Sequence, residues 1–383
     1  MRVIVIGAGV MGASVAWHLT ARGCRDVIVL DRGPGPGAGS TRRATGGFRA
    51  QYATSINVRL SLLAREKLRR FGDEVGGDCG YVPAGYLWLA SSTAELEALD
   101  AARIVQHSAG LREAHAVTPS DVGGLHPLVA GSGVIGGAFC PTDGFISPTG
   151  LLTGYLQGAI RAGATVQWAS EVIALERIVD RVTGVRTRSG RLDADIIVNA
   201  AGAWAGELAA ASGLELPVVP LRRQVASTVP TTVVPPWMPM TIFTSDGFHF
   251  RERDGRVLLL WPSPGAPGAP FDTSVDDEWV RTVAATAHTR VPALRDVPLD
   301  RPACWAGLYE MSPDKHAILG AAPGCDGVFF INGSSGHGVM HAPALGHLLA
   351  EIILDGHTST IDVRPLRPSR FAEGDLNPVS GVL

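Results

Sequence analysis

The opening of the chain limits its fold more than any other stretch. It runs from the β-branched RVIVI of residues 2–6 through GAGVMG and the apolar ASVAWHLTARG to a second run, DVIVL, that ends at Asp31. An unbroken β-branched run is the pattern of a strand covered on both faces. The spacing predicts strand, tight turn, helix and a second parallel strand. Gly7 makes the turn, Gly9 lets the backbone approach a pyrophosphate, and Gly12 lets the helix lie close on the strand. Val10 and Met11 open the helix, where unpaired N–H groups and the dipole favour phosphate. Asp31, followed by Arg32, stands where a carboxylate accepts from ribose hydroxyls. This is a dinucleotide-binding unit, and taken alone it leaves NAD, NADP and FAD open.

Three later stretches carry similar chemistry. The loop RGPGPGAGSTRRATGGFRAQY offers Ser40, Thr41, Arg42, Thr45, Gly46 and Gly47, a set of hydroxyl, guanidinium and backbone donors suited to more pyrophosphate. A predicted β-meander that includes Val172 leads into IIVNAAGAWA, whose small residues Ala201 and Gly202, followed by Trp204, let a cofactor approach a strand end. Near the C-terminus, NGSSGHGVMHAPALGHLLAEIILDG turns from glycine-rich to helical without a linker. A second phosphate-loop-like turn needs a reason when the N-terminus already has one.

The rest of the composition excludes more than it assigns. A chain of 383 residues, 46% hydrophobic and 18% charged, is long enough for two domains. A net charge of -3 gives no reason to expect nucleic acid or an anionic membrane as partner. The five cysteines are scattered without a CxxC, which suggests neither disulfides nor a metal site and makes a cytoplasmic location the expectation. No apolar run reaches the roughly 18 residues of a membrane span.

With VIVIGAGVMGASVAWHL, GSTRRATGGFRAQY, IIVNAAGAWA, WAGLYEMSPDKHAILG and NGSSGHGVMHAPALG in this order, the chain resembles the D-amino-acid oxidase superfamily of FAD-dependent oxidoreductases. Within it the likeness is to the branch of sarcosine oxidase, its beta subunit, and the L-proline dehydrogenase beta subunit. The resemblance implies an α/β fold in which a Rossmann-type FAD-binding domain (1–78, 144–218 and 306–383) interleaves with a mainly antiparallel β-sheet substrate domain (79–143 and 219–305). It also explains the C-terminal glycines: Gly336, His337, Gly338, Val339 and Met340 would contact the flavin ring. The following helix, starting near Pro343, would point its N-terminus at the pyrimidine side.

Arg49 aligns with the family arginine that grips a substrate carboxylate, a task suited to a planar fork of donors. His249 and Arg251 alternate on one face of a predicted strand. With Trp261, Tyr309 and His337 they complete the candidate substrate site. Departures narrow the resemblance. Gly307-Leu308-Tyr309-Glu310 replaces the GLRP of glycine and D-amino-acid oxidases, which argues against those branches. Gly307 replaces a flavin-linking cysteine, and GSTRRATGG lacks a tethering histidine, so FAD is expected to be non-covalent. Met340 stands where sarcosine oxidase has lysine. Residues 256–272 lack the lysine that promotes oxygen activation; Lys67 and Lys315 are the only lysines.

The expectation is oxidation of the C–N bond of a small, secondary or N-methyl amino acid by hydride transfer to flavin N5. The electron acceptor would be oxygen, a quinone or a partner protein, in a homo- or hetero-oligomer. Two alternatives stay open: a 2-hydroxy-acid dehydrogenase, and a flavin-carrying subunit inactive alone.

Overall fold

The computed structural model describes residues 1–129, 131, 133–262 and 269–379. Part of the expected Pro-rich loop at 261–271 therefore lies outside the described residues.

Among the described residues, six strands form the first sheet. Its order is Ile318–Ala321, Val328–Asn332, Ile196–Asn199, β1 (Arg2–Ile6), β2 (Asp26–Leu30) and Thr165–Gln167. All neighbours are parallel except the first pair. Alternation along β1 divides its side chains between two cores. Val3 and Val5 pack under helices that include α1 (Val10–Ala21), Pro148–Arg161 and Gly338–Asp355. Ile4 and Ile6 pack under the meander Val172–Ile178, Arg181–Thr187 and Gly190–Asp193 and the short helix Ala205–Ala211. Covering both faces is what the continuous β-branched runs require. The helix α1 touches Gly338–Asp355 so closely that the Ser14 hydroxyl donates to the Ala342 carbonyl at 2.7 Å.

Eight strands form the second sheet, in the order Trp305–Met311, Val219–Ser227, Arg256–Leu260, His249–Arg253, Met240–Phe243, Tyr86–Ala90, Gly136–Cys140 and His115–Val117. Only Met240–Phe243 and Tyr86–Ala90 run parallel. One face packs Leu87, Leu89, Ala226, Phe243, Phe250, Val257 and Leu259 against the helix Asp277–Arg290. On the other, cross-strand register aligns Trp88, Ile242, His249, Leu260 and Val225. Trp305–Met311 straddles the boundary expected at residue 306 and is hydrogen-bonded within this second sheet. No helix among the described residues is long and apolar enough to cross a membrane.

Candidate active site

A cavity of about 700 Å³ lies between the two sheets. Its lining draws on the first turn of α1, the loop after β2, the cavity-facing side of the second sheet and the glycine run before Gly338.

At the phosphate end, Gly7 has φ +104°, and a Cβ on Gly12 would sit 1.9 Å from the Gly7 carbonyl oxygen. Helix and turn are thus in contact through a position only glycine fills. The N-terminus of α1 has no side-chain cap at Gly9, and the Val10 N–H donates to Thr41 Oγ1 at 3.1 Å. Where Gly9 lacks a side chain there is only Thr41 Oγ1, at 3.5 Å, and Gly202 faces open space. These gaps and uncapped donors fit a pyrophosphate. Asp31 accepts from the N–H groups of Ala8 and Gly33, both at 2.7 Å, and each oxygen keeps a lone pair for a ribose hydroxyl. Arg32 lies over the Trp204 ring at 3.8 Å, and Trp204 stacks on Phe271.

At the opposite end the chain leaves the strand Val328–Asn332 through Ser335 and Gly336, whose φ values are +49° and +96°. A Cβ on Gly336 would meet the Tyr309 ring at 2.4 Å, so this glycine lets the loop lie on Tyr309. The helix that follows starts at Gly338 with His337 as its cap, earlier than the expected start near Pro343. The tight turn already sets the helical direction, and Pro343 is carried inside the helix.

Arg49 is only 5% exposed and has no ion pair among the described residues. Its guanidinium lies 4.1 Å from the Tyr52 ring centre and 5.2 Å from that of Trp88. Nη1 donates to the Gln51 carbonyl at 2.9 Å, and Nη2 faces His337 Nε2 at 3.3 Å. Burial, with the Arg49 charge second, holds His337 well below its usual pKa. Neutral His337 can therefore accept from Arg49 at Nε2. The backbone beneath Arg49 is fixed by buried Asp143, which accepts from Ala50 and Gln51 N–H at 2.8 and 3.4 Å. Burial lifts Asp143 to about 6. His249 hydrogen-bonds through Nδ1 to the Gly247 carbonyl at 2.8 Å, and burial lowers it to about 4. Glu310 accepts from Ser334 N–H, and burial raises it to about 7.

The cavity brings together nearly all the residues singled out above: Gly7, Gly9, Val10, Met11, Asp31, Arg32, Ser40, Thr41, Thr45, Gly46, Gly47, Arg49, Val172, Ala201, Gly202, Trp204, His249, Trp261, Gly307, Tyr309 and 336–340. Three do not line it. Gly12 acts one layer behind, through helix packing. Arg42 is exposed because the 3-10 turn Thr41–Arg43 carries it outward. Its neighbour Arg43 lines the cavity and donates to the Ala306 carbonyl at 2.6 Å. Arg251 is used by the loop after β2, donating to the Thr45 carbonyl at 3.1 Å with its guanidinium 3.4 Å from the Phe145 ring centre. Its part is to position that loop. Sequence reasoning missed Tyr52, Trp88, Asp143 and Arg223. Only Arg223 had a local signal, the alternation Leu221, Arg223, Val225.

The family model described as "FAD dependent oxidoreductase" (DAO) matches residues 2–352. The chain belongs to this family. This FAD-dependent oxidoreductase is 30% identical to a glycine oxidase of Pseudomonas aeruginosa, over 96% of this chain and 98% of that one. It is 27% identical to mouse mitochondrial dimethylglycine dehydrogenase, over 97% of this chain and 44% of that protein. The structure of L-proline dehydrogenase from P. horikoshii superposes with a TM-score of 0.90 at 28% identity, covering 98% of this chain and 99% of that one. Whole-chain likeness to a glycine oxidase thus coexists with the local departure at Tyr309.

Proposed function

We propose that this FAD-dependent oxidoreductase oxidises the C–N bond of a small amino acid, with a secondary or N-methyl nitrogen, to an imine. The observation that carries the reading is Arg49: a buried guanidinium with no ion pair among the described residues, lining the cavity that also holds the dinucleotide-binding turn. The relatives named for L-proline and dimethylglycine support a secondary or tertiary nitrogen.

Gly7, Gly9, Thr41 and Asp31 would hold the nucleotide part of FAD, and Gly336 to Met340 its ring, without a covalent link. When bound, FAD supplies a two-electron acceptor at N5 for hydride from the carbon beside the substrate nitrogen. Arg49 binds the substrate carboxylate and fixes that C–H bond's direction. Tyr52, Trp88 and His337 keep the fork from rotating. The substrate nitrogen needs its lone pair, and a cavity with cationic Arg49 and neutral His249 and His337 favours the neutral amine. Activity therefore rises with pH as the bound amine loses its proton.

The segments 1–78, 144–218 and 306–383 are read as the FAD domain, apart from the strand Trp305–Met311, which belongs to the second sheet and with it supplies the substrate wall. All five cysteines are buried and unpaired, which supports a reducing, cytoplasmic compartment. Anaerobic addition of sarcosine, L-proline, D-proline and N-methyl amino acids to the FAD-loaded protein tests the function. Bleaching of the flavin band by one of them is expected, and admitting air then separates an oxidase from a dehydrogenase. Bleaching by 2-hydroxy acids but by no amine overturns the reading.

A further inference from the structure

Arg49 is not the only guanidinium in the cavity without an acid beside it. Arg223 lies on the strand Val219–Ser227 directly opposite Gly307, which has no side chain of its own; Arg43 packs over that glycine, its guanidinium donating to the Ala306 carbonyl. It lines the cavity on the face that carries Val225, Leu260 and His249. Its guanidinium carbon is 5.8 Å from the Tyr309 ring centre. No hydrogen bond or ion pair to that guanidinium occurs among the described residues. The preceding residue behaves in the opposite way: Arg222 points to the other face and pairs with Asp272 at 2.6 Å. Of the carboxylates that line the cavity, Asp31 is held by backbone N–H groups, Glu171 by Arg188 and Asp314 by Arg370, while Glu310 alternates to the opposite face of its strand from Gly307, the residue paired with Arg223.

An unpaired guanidinium taken partly out of water is costly, and the cost is recovered when an anion enters. Arg49 and Arg223 line the same cavity as His249 and Tyr309, and both charges are felt by the His249 ring and the Tyr309 hydroxyl.

We propose that Arg223 binds a second carboxylate of the substrate, so that the amino acid oxidised is a dicarboxylate held between Arg49 and Arg223 with its amine between them. The assignment of the reacting amine rests on the function proposed above; the anion subsite rests on Arg223 itself.

The test uses FAD-loaded protein and unreactive ligands, read by the shift of the flavin absorption band. Glutarate and succinate are expected to bind at least about 10-fold more tightly than butyrate. Arg223→Met is expected to abolish that advantage while leaving butyrate affinity and flavin content unchanged, and Arg223→Lys to restore part of it. Equal affinity for mono- and dicarboxylates in the unmodified protein overturns the proposal. So does an Arg223→Met protein that loses both ligands equally, since Arg223 would then hold the common carboxylate. Iminodiacetate and N-methyl-L-glutamate are then added anaerobically beside sarcosine. If none bleaches the flavin while dicarboxylate binding still depends on Arg223, the subsite is upheld and the amine-oxidation reading alone fails.

Discussion

Arg49 depends on its surroundings for direction as much as on its own charge. Two aromatic faces, a carbonyl and an imidazole nitrogen fix a side chain that otherwise has several rotatable bonds. Lysine would keep the charge but lose both the stacking and the two-pronged geometry. Arg49→Lys and Arg49→Met are therefore expected to raise the substrate KM about 10- to 100-fold, from a charged hydrogen bond worth roughly 1.5–3 kcal/mol. Flavin content should stay normal. Steady-state kinetics beside a flavin-to-protein absorbance ratio checks this, and an unchanged KM removes Arg49 from the substrate site. His337 is the positioning partner in this pair. His337→Phe removes the acceptor at Nε2 and is expected to raise KM several-fold, while His337→Gln, which keeps an acceptor, recovers most of it. Equal losses in both variants would mean that His337 acts through its shape alone.

Two glycines of the helix layer separate cofactor binding from packing. A methyl on Gly12 would meet the Gly7 carbonyl oxygen at 1.9 Å and push α1 off the turn it must complete. A methyl on Gly346 would meet Ser14 Oγ at 2.2 Å, at the contact between α1 and Gly338–Asp355. Each Ala substitution is expected to cost about 1–3 kcal/mol by overpacking. Only Gly12→Ala should also weaken FAD binding, because only it displaces the phosphate-facing N–H groups. Urea midpoints of the apoproteins and FAD titrations distinguish the two effects; equal FAD affinity in both variants would deny Gly12 its role. At this scale the limits of the sequence are also visible. The unit from Arg2 to Asp31 was readable because strand, turn and helix are set by neighbours in the chain. The 3-10 turn that exchanges Arg42 for Arg43 involves one residue's rotation, below what composition resolves. The helix start at Gly338 was hidden by Pro343, which usually marks a boundary. Arg223 sits in a readable alternation, but which face of that run meets the cavity, like the placement of Trp88, is fixed by strand pairings far apart in sequence rather than by local pattern.

The molecule buries several of its histidines in neutral form, and this sets how it responds to acid. Burial is the leading cause in each case, lowering His18 and His341 to about 3, His126 and His249 to about 4, and His337 well below 6.5. A histidine depressed in the folded state contributes stability that is complete above about pH 6.5 and is lost as pH falls toward its folded value, because the unfolded chain takes the proton first. Asp143 and Glu310, raised to about 6 and about 7, work in the opposite sense but are fewer. Stability is therefore expected to fall from pH 7 to pH 5. His126 isolates the effect. It is 0% exposed, stands edge-on to Phe250 with ring centres 5.2 Å apart, and among the described residues neither ring nitrogen has a hydrogen-bond partner. His126→Leu removes a buried unsatisfied polar group, for a gain of about 1–3 kcal/mol at pH 8. At pH 5 the unfolded protein's histidine is protonated while the folded one is not, a further difference of about 2 kcal/mol at roughly 1.4 kcal/mol per pH unit. Urea unfolding of both proteins across this range measures it. The two stability curves should diverge as pH falls, and parallel curves would show that His126 does not carry the acid sensitivity assigned to it.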